Sequence, residues 1–550
     1  MIKKSHLKNG TIFLAILLIM TVPFFASCAE EEATPTPTET PISTPSQIPT
    51  GPTGKLTVAI ATAQLEDVLP HMITGASLSY CGHMYDSLVG ASPDGSLSKE
   101  TGIASDWESP DGGKTWNFTI KSGITFHNGE ALTAEDVKFS IELHQLPEAK
   151  SSNAPIFREK IADIIVQSPT KLTVVLSEVD VQFPIMLCCL AGAEGVVVPK
   201  DYYNAVGTDG FRDAPIGSGP FKFVSRQIGV GINFTANEEY WRGAPGFKDL
   251  EILLVAEDST RIAMLRTGEA DIINLTKPLI AEVESAGLEV KSVPYTVNIG
   301  IQFYRSQDAE MIYHSKAVRE ALALAIDKEA ILDTLFDGRG DVASSYLFTP
   351  VMEGYDPSLD PYPYDPERAI QILEDAGISK VELKFWSFTI PGAPDLPKLA
   401  LAVAGYWNNI GVDVEVIPVD FASFRPKYRA NPQDVDPPGE VSLYTALTMP
   451  SSFPNVRWYA LSHEAGGLME QGGSFSQQID ELYTQASTEI DAVERNELLM
   501  QLDRIMYDEY LSIPLVVCGT EYGVGPEVAS WSPTPGSLYY LVLESAIPNE

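Results

Sequence analysis

Seven histidines are the chain's natural candidates for acid–base or metal chemistry: His6, His71, His83, His127, His144, His314 and His463. Metal-assisted hydrolysis on a helix needs two of them flanking a glutamate at H-E-x-x-H spacing, and no such pair occurs. A nucleophilic serine at a strand-to-helix elbow needs the spaced glycines of G-x-S-x-G, and Gly217-Ser218-Gly219 is too short for it. Neither a P-loop nor a G-x-G-x-x-G is present, so any nucleotide chemistry belongs to a partner. Cys81, Cys188, Cys189 and Cys518 show no metal-site spacing. One or two disulfides or buried free thiols both suit them, since Cys188 and Cys189 sit in an apolar run, 185–190. Three segments instead offer groups that stack on and hydrogen-bond a solute: Gln302-Phe303-Tyr304, Phe385-Trp386-Ser387-Phe388 and Tyr444. Core packing explains their rings equally well, because large aromatics are mostly buried anyway. None of these residues forms a catalytic motif, although an extracytoplasmic hydrolase with a convergent site is an alternative reading.

One cysteine has a different chemistry. Lys3, Lys4 and Lys8 make a positive start, Thr11 to Phe25 is almost wholly apolar, and Phe25-Ala26-Ser27-Cys28 follows. Small residues before a cleavage point are what a signal peptidase needs. The pattern looks like a bacterial lipobox, with residues 1–27 as leader and lipid on the Cys28 thiol. An uncleaved membrane anchor is the competing reading, but Thr21, Pro23 and Ser27 spoil the run of about 20 apolar residues it needs. Residues 28–54 are then a tether rich in Pro and Thr, whose prolines lack backbone donors. About 25 extended residues reach roughly 80 Å. Losing three leader lysines takes the formal charge from −37 to −40. So acidic a chain repels phosphates, which argues against a nucleic-acid partner. No metal or cofactor is expected.

Strand and helix signals alternate from Lys55 onward, which predicts an α/β body of two or more lobes. Strands are expected at 55–60, 115–120, 172–176, 252–255 and 412–416. Thr133-Ala-Glu-Asp136 is an acidic capping box opening a helix. Asp258 or Ser259 caps a second that stops at Gly268, and Asp365-Pro366 opens another ending before Gly377. Val318, Ala321, Leu322, Ala325 and Ile326 share a buried helical face, as do Leu399, Val403, Trp407 and Ile410.

Several blocks resemble the family 5 extracellular solute-binding proteins, the dipeptide-, oligopeptide- and nickel-binding subunits of ABC importers. The strongest runs from Ile103 to Ser140 and holds Phe126-His-Asn-Gly129 and Thr133-Ala-Glu-Asp-Val137. Pro215 to Lys222, Asn237 to Gly243, Leu265 to Ile272, Val318 to Ile331, Tyr364 to Ala369 and Arg495 to Pro514 follow in the family's order. The resemblance implies an α/β, two-lobed periplasmic-binding-protein-like (class II) fold with a hinge and an extra subdomain inserted in the first lobe. By analogy, residues 55–98, 214–292 and 508–550 form the first lobe, 99–213 the subdomain and 293–507 the second lobe. It implies no catalysis and a structural His127. It also implies capture of a small, peptide-like or other solute by a monomer, passed to permease subunits driven by a cytoplasmic ATPase. A surface lipoprotein that senses solute without transport is the other reading. Thr74, Tyr304, Trp386, Tyr444 and Thr448 are the candidate ligand contacts. In peptide-binding members an aspartate holds the ligand's α-amino group; Thr448 stands at the corresponding place, and no acid lies between Glu440 and Glu464. Enclosing an unpaired ammonium costs several kcal/mol, so ordinary peptides are expected to bind poorly.

Overall fold

Thr53–Ile60 forms a strand whose two faces are both buried from Leu56 on. Leu56, Val58 and Ile60 point into one apolar cluster with Phe234, Leu250 and Ile252. Ala59 meets a second cluster formed by Ile262, Leu265 and Val283. The strand pairs in parallel with Phe247–Leu254 on one side and Ile272–Leu275 on the other. The computed structural model describes residues 51–92, 95–390, 393, 395–420, 440–448, 451–465, 467, 469–533 and 541–549. The leader, Cys28 and the tether as far as residue 50 lie outside the described residues.

One sheet of eleven strands runs through both lobes. Outward through the first lobe its order is Ser512–Val524, Ile272–Leu275, Thr53–Ile60, Phe247–Leu254, Gly231–Ala236 and Phe221–Gln227. Outward through the second it is Glu289–Phe303, Glu440–Leu447, Val381–Ser387 and Val412–Pro418, while Asp341–Val342 pairs with Ser512–Val524. The first and second lobes therefore share two long antiparallel strands, Glu289–Phe303 and Ser512–Val524. Val293 and Tyr522 lie in the first lobe's core, whereas Val297 to Phe303 and Ile513 to Val516 lie in the second's. The pairing breaks register between Val293 and Val297, where Pro294 has no amide to donate and Tyr295 adopts φ 55°. The passage between cores thus falls between Cys518 and Tyr522 on the second strand, beyond the expected limit at residue 508.

A four-stranded sheet of Ala104–Glu108, Thr115–Ile120, Lys171–Leu176 and Ile161–Ser168 carries a third core, drawn from Leu88 to Val197. That core begins ahead of residue 99, and Tyr203 and Phe211 pack into the first lobe instead. Helix Ala134–Gln145 lies on it and opens with the expected capping box: Asp136 Oδ2 accepts from Thr133 N at 2.8 Å.

Two sequence blocks prove to be one construction around Asp86. This carboxylate is buried and accepts from Ser218 Oγ at 2.9 Å, Tyr240 Oη at 2.7 Å and Trp241 Nε1 at 2.9 Å. Gly217 and Gly219 let the strand entry lie on the Met84 backbone; a Cβ at Gly217 would stand 1.9 Å from Met84 O. His127 completes the turn, its Nε2 lying 3.0 Å from Gly219 O and its Nδ1 accepting from Gly217 N at 3.4 Å. Burial holds its pKa down to about 4, so the ring is neutral and structural.

Candidate functional site

The second-lobe strands present one face built from alternate residues. Gln302 pairs with Ser442, Gly300 with Tyr444, and Trp386 with Ser442, so these side chains lie in rows on the same side. Tyr304 and Phe388 extend the rows by one period. The Tyr304 hydroxyl is 2.7 Å from Ser442 Oγ, and Gln302 Nε2 donates to Tyr346 Oη at 2.5 Å. Tyr444 is half-buried, its ring 5.9 Å from those of Phe388 and Tyr459. Gly300 makes room for this cluster, because a Cβ there would sit 2.3 Å from the Tyr346 ring. Tyr304, Trp386 and Tyr444 are thus brought together, though Trp386 is buried.

Thr448 stands at the end of that face, beside the register break. Its amide donates to Thr296 O at 3.1 Å, its hydroxyl donates to Tyr295 O, and Thr349 Oγ1 lies 3.0 Å away. The hydroxyl is occupied by the hinge backbone. Thr74 is in the first lobe, buried at the head of the turn Gly75–Ser77, with its hydroxyl donating to Gln64 Oε1.

The subdomain holds a buried carboxylate that the sequence reading passed over. Glu194 is 1% exposed and accepts from the Asn153 amide at 2.6 Å through Oε1. Burial pushes its carboxyl up, with Asn153 and Ser151 opposing the rise; no cation takes part. One signal could have found it: Glu194 is the only charged residue between Asp180 and Lys200, in an otherwise apolar stretch. Asn153 also lines a small cavity of about 20 Å³ at the seam where the subdomain meets Ser451, Phe453, Arg457 and Tyr483 of the second lobe.

Among the described residues no group of three or more His, Cys, Asp or Glu could hold a metal ion. The four described cysteines are free thiols, and no described helix is long and apolar enough to cross a membrane. Burial keeps His83 and His144 neutral, with pKa values near 4 and 3.

Two lobes sharing a pair of strands that break together, with an aromatic and amide face beside the break, define a hinged binding protein. Comparison with known proteins supplies the family. Residues 100–455 match the model described as bacterial extracellular solute-binding proteins, family 5 Middle, and the chain belongs to that family. It is 27% identical over 364 residues to heme-binding protein A of Haemophilus influenzae, covering 60% of this chain and 64% of that protein. It is 25% identical over 437 residues to the dipeptide-binding protein of Escherichia coli, covering 74% and 79%. Among solved structures, the periplasmic binding protein DppA of Helicobacter pylori, in complex with the peptide STSA, superposes with a TM-score of 0.77. That match covers 90% of this chain and 98% of the other at 20% identity. The two-lobed α/β fold and the solute-binding role expected from the sequence are both borne out.

Proposed function

We propose that this protein is held outside the cytoplasm by lipid on Cys28, swings on the 28–54 tether, and captures a small solute between its lobes for an ABC importer. Permease subunits with a cytoplasmic ATPase receive the solute, and the captor works as a monomer without catalysis or cofactor. The observation that carries this reading is the shared pair of strands with its break at Pro294–Thr296, which lets two independently packed cores move as bodies. Residues 55–98, 214–292 and 508–550 make the first lobe in this reading, with 99–213 inserted and 293–507 opposite. Thr74 on one wall and Tyr304, Trp386, Tyr444 and Thr448 on the other are the proposed contacts, Thr448 acting through the hinge backbone it bonds. Relatives named for heme and dipeptide make a peptide-like or comparably sized organic solute the class to try first.

Solute capture is tested by thermal unfolding against such a panel. A ligand at a hundredfold excess over its Kd stabilises the native state by about 2.7 kcal/mol, and a panel that moves no melting point refutes the reading. Anchoring has a separate test. Cys28→Ala is expected to abolish labelled-palmitate incorporation and leave the protein unprocessed or released; undiminished labelling removes the lipoprotein assignment.

A further inference from the structure

Two adjacent thiols in the subdomain have no part in solute capture. Cys188 is 0% exposed and belongs to the subdomain's core, whereas Cys189 is half-buried at the edge of that core. The other described cysteines lie in other cores, Cys81 in the first lobe's and Cys518 in the second lobe's. Among the described thiols, Cys188 and Cys189 are therefore the two that can react with each other.

The structure gives this pair an approach. Cys189 lines a cavity of about 300 Å³ between the subdomain and the first lobe, with Val89, Ala91, Arg242, Val542 and Glu544 on its walls. The apolar walls suit a small organic molecule, and Arg242, 3.0 Å from Glu544, puts a cation beside it. Cys188 stands behind, its Sγ donating to Gly90 O at 3.6 Å. The Cys188 thiol beside it raises the Cys189 thiol well above its ordinary range; burial adds to the rise and Arg242 opposes it.

We propose that Cys188 and Cys189 are a redox modification site, closed to a disulfide by a small aliphatic disulfide that enters through this cavity. The Cys189 sulfur, on losing its proton, attacks one sulfur of the reagent R–S–S–R. A Cys189–S–R bond forms, and the departing RS⁻ takes up that proton. The Cys188 sulfur, on losing its own proton, then attacks Cys189 Sγ and displaces the second RS⁻, which is protonated in turn. Two thiols have given up two electrons, and one R–S–S–R has become two R–SH. Oxidising conditions outside the cytoplasm, where the family acts, keep such reagents in the disulfide form.

The product is labile by construction. Neighbouring Cα atoms stand about 3.8 Å apart, below the usual span of about 4.4–6.8 Å for a disulfide, and such strain makes the bond easier to reduce. Closure also draws Cys188 Sγ away from Gly90 O, on a segment that Val89 N fixes to Leu187 O at 3.0 Å. The pair thus reads the oxidation state of the surroundings where the first lobe meets the subdomain.

The test treats the purified protein with hydroxyethyl disulfide at pH 8, alkylates the remaining thiols and maps the peptides by mass. Trypsin leaves both cysteines in one peptide, 172–200, since no Lys or Arg lies between Lys171 and Lys200. That peptide is expected to be lighter by two hydrogens and unalkylated, and dithiothreitol should restore both thiols. Cys188→Ser is expected to stop at the mercaptoethanol adduct on Cys189. Cys189→Ser is expected to slow modification of Cys188 at least about tenfold, because Cys188 is sealed behind it. An adduct that persists on Cys189 in the parent overturns the closure, as does a pair that stays fully open to alkylation. Modification of Cys81 and Cys518 as fast as the pair overturns the cavity as the route. These last three outcomes are read on the parent and stand even where a variant fails to fold.

Discussion

Asp503, inside the second lobe, is a buried carboxylate of another kind. Ser345 Oγ donates to its Oδ1 at 2.6 Å, and the side chain is 1% exposed. Burial pushes its pKa from 3.8 up to about 7; the Asp356 charge adds to the rise, while Ser345, the Asp356 amide and Arg504 oppose it. A folded-state pKa above the unfolded one means that the native protein holds a proton the unfolded chain has released. That stability is complete below about pH 4 and is lost as pH rises through about 7. Asp503→Asn keeps the Ser345 bond and removes the titration. Above pH 8 it is expected to be more stable than the parent by on the order of 3 kcal/mol, the gap closing toward pH 4. Denaturant unfolding at pH 4, 6 and 8 measures this, and a parallel pair of stability curves contradicts it. At this scale the aromatic part of the site was legible, because Gln302, Tyr304, Trp386, Phe388 and Tyr444 obey a period of two that strand pairing turns into one face. Glu194 was not read, since its burial depends on Asn153 and Gly192 meeting it in space.

Elements with a local code formed where their residues required. Thr115–Ile120 matches its alternation residue for residue, and Pro366–Asp375 begins at Pro366 after Asp365, whose side chain accepts from Arg368 N. Gly268 and Gly377 take φ of 75° and 69° just past their helices, a conformation that glycine reaches at no steric cost. The helix before Gly268 differs slightly from expectation: it starts at Asp258 with Glu257 as a cap that makes no side-chain bond, and its first turn is tied by the Asp258–Arg261 ion pair. The face Val318 to Ile326 divides, helix Lys316–Leu324 ending and Lys328–Leu335 restarting behind Asp327, which caps it through Ala330 N. The two hinge strands were the elements least visible in the sequence. Both are buried on both faces for most of their length, which removes the alternation. Pro294 and Pro514 also argue locally against a strand, whereas here they sit beside the breaks in register. The feature that makes the molecule a hinge is thus the one that hides it from pattern reading.

At the scale of the whole molecule, the strength of the seam decides whether the lobes need a solute to stay together. Beside the packing of Ile156, Ile185 and Met186 near Phe453 and Pro454, the subdomain and second lobe make a Val181 N–Ser487 O bond of 3.1 Å and the Arg457–Glu159 pair, in which the Glu159 side chain is 68% exposed. An exposed pair contributes about 0–1 kcal/mol and a neutral hydrogen bond about 0.5–1.5 kcal/mol. These two polar contacts alone favour closure by about tenfold, before the entropy of holding two bodies in register is charged against them. On the first-lobe side Arg339 lies 3.4 Å from Glu284 with both side chains a third or more exposed, so it adds little in physiological salt. The empty protein is therefore expected to sample open forms about the Pro294–Thr296 break, and a solute that touches both walls is expected to collect them into the closed one. Small-angle scattering should show a smaller radius of gyration with a confirmed tight ligand than without it. Arg457→Glu should widen the empty ensemble only slightly, because the pair it removes is weak. A hinge mutation should act differently: Thr448→Val leaves Tyr295 O and the Thr349 hydroxyl without their partner, which should change ligand affinity without changing the liganded envelope. An identical envelope with and without a tight ligand, in parent and Thr448→Val alike, would mean that the two cores move as one body and that the register break is rigid.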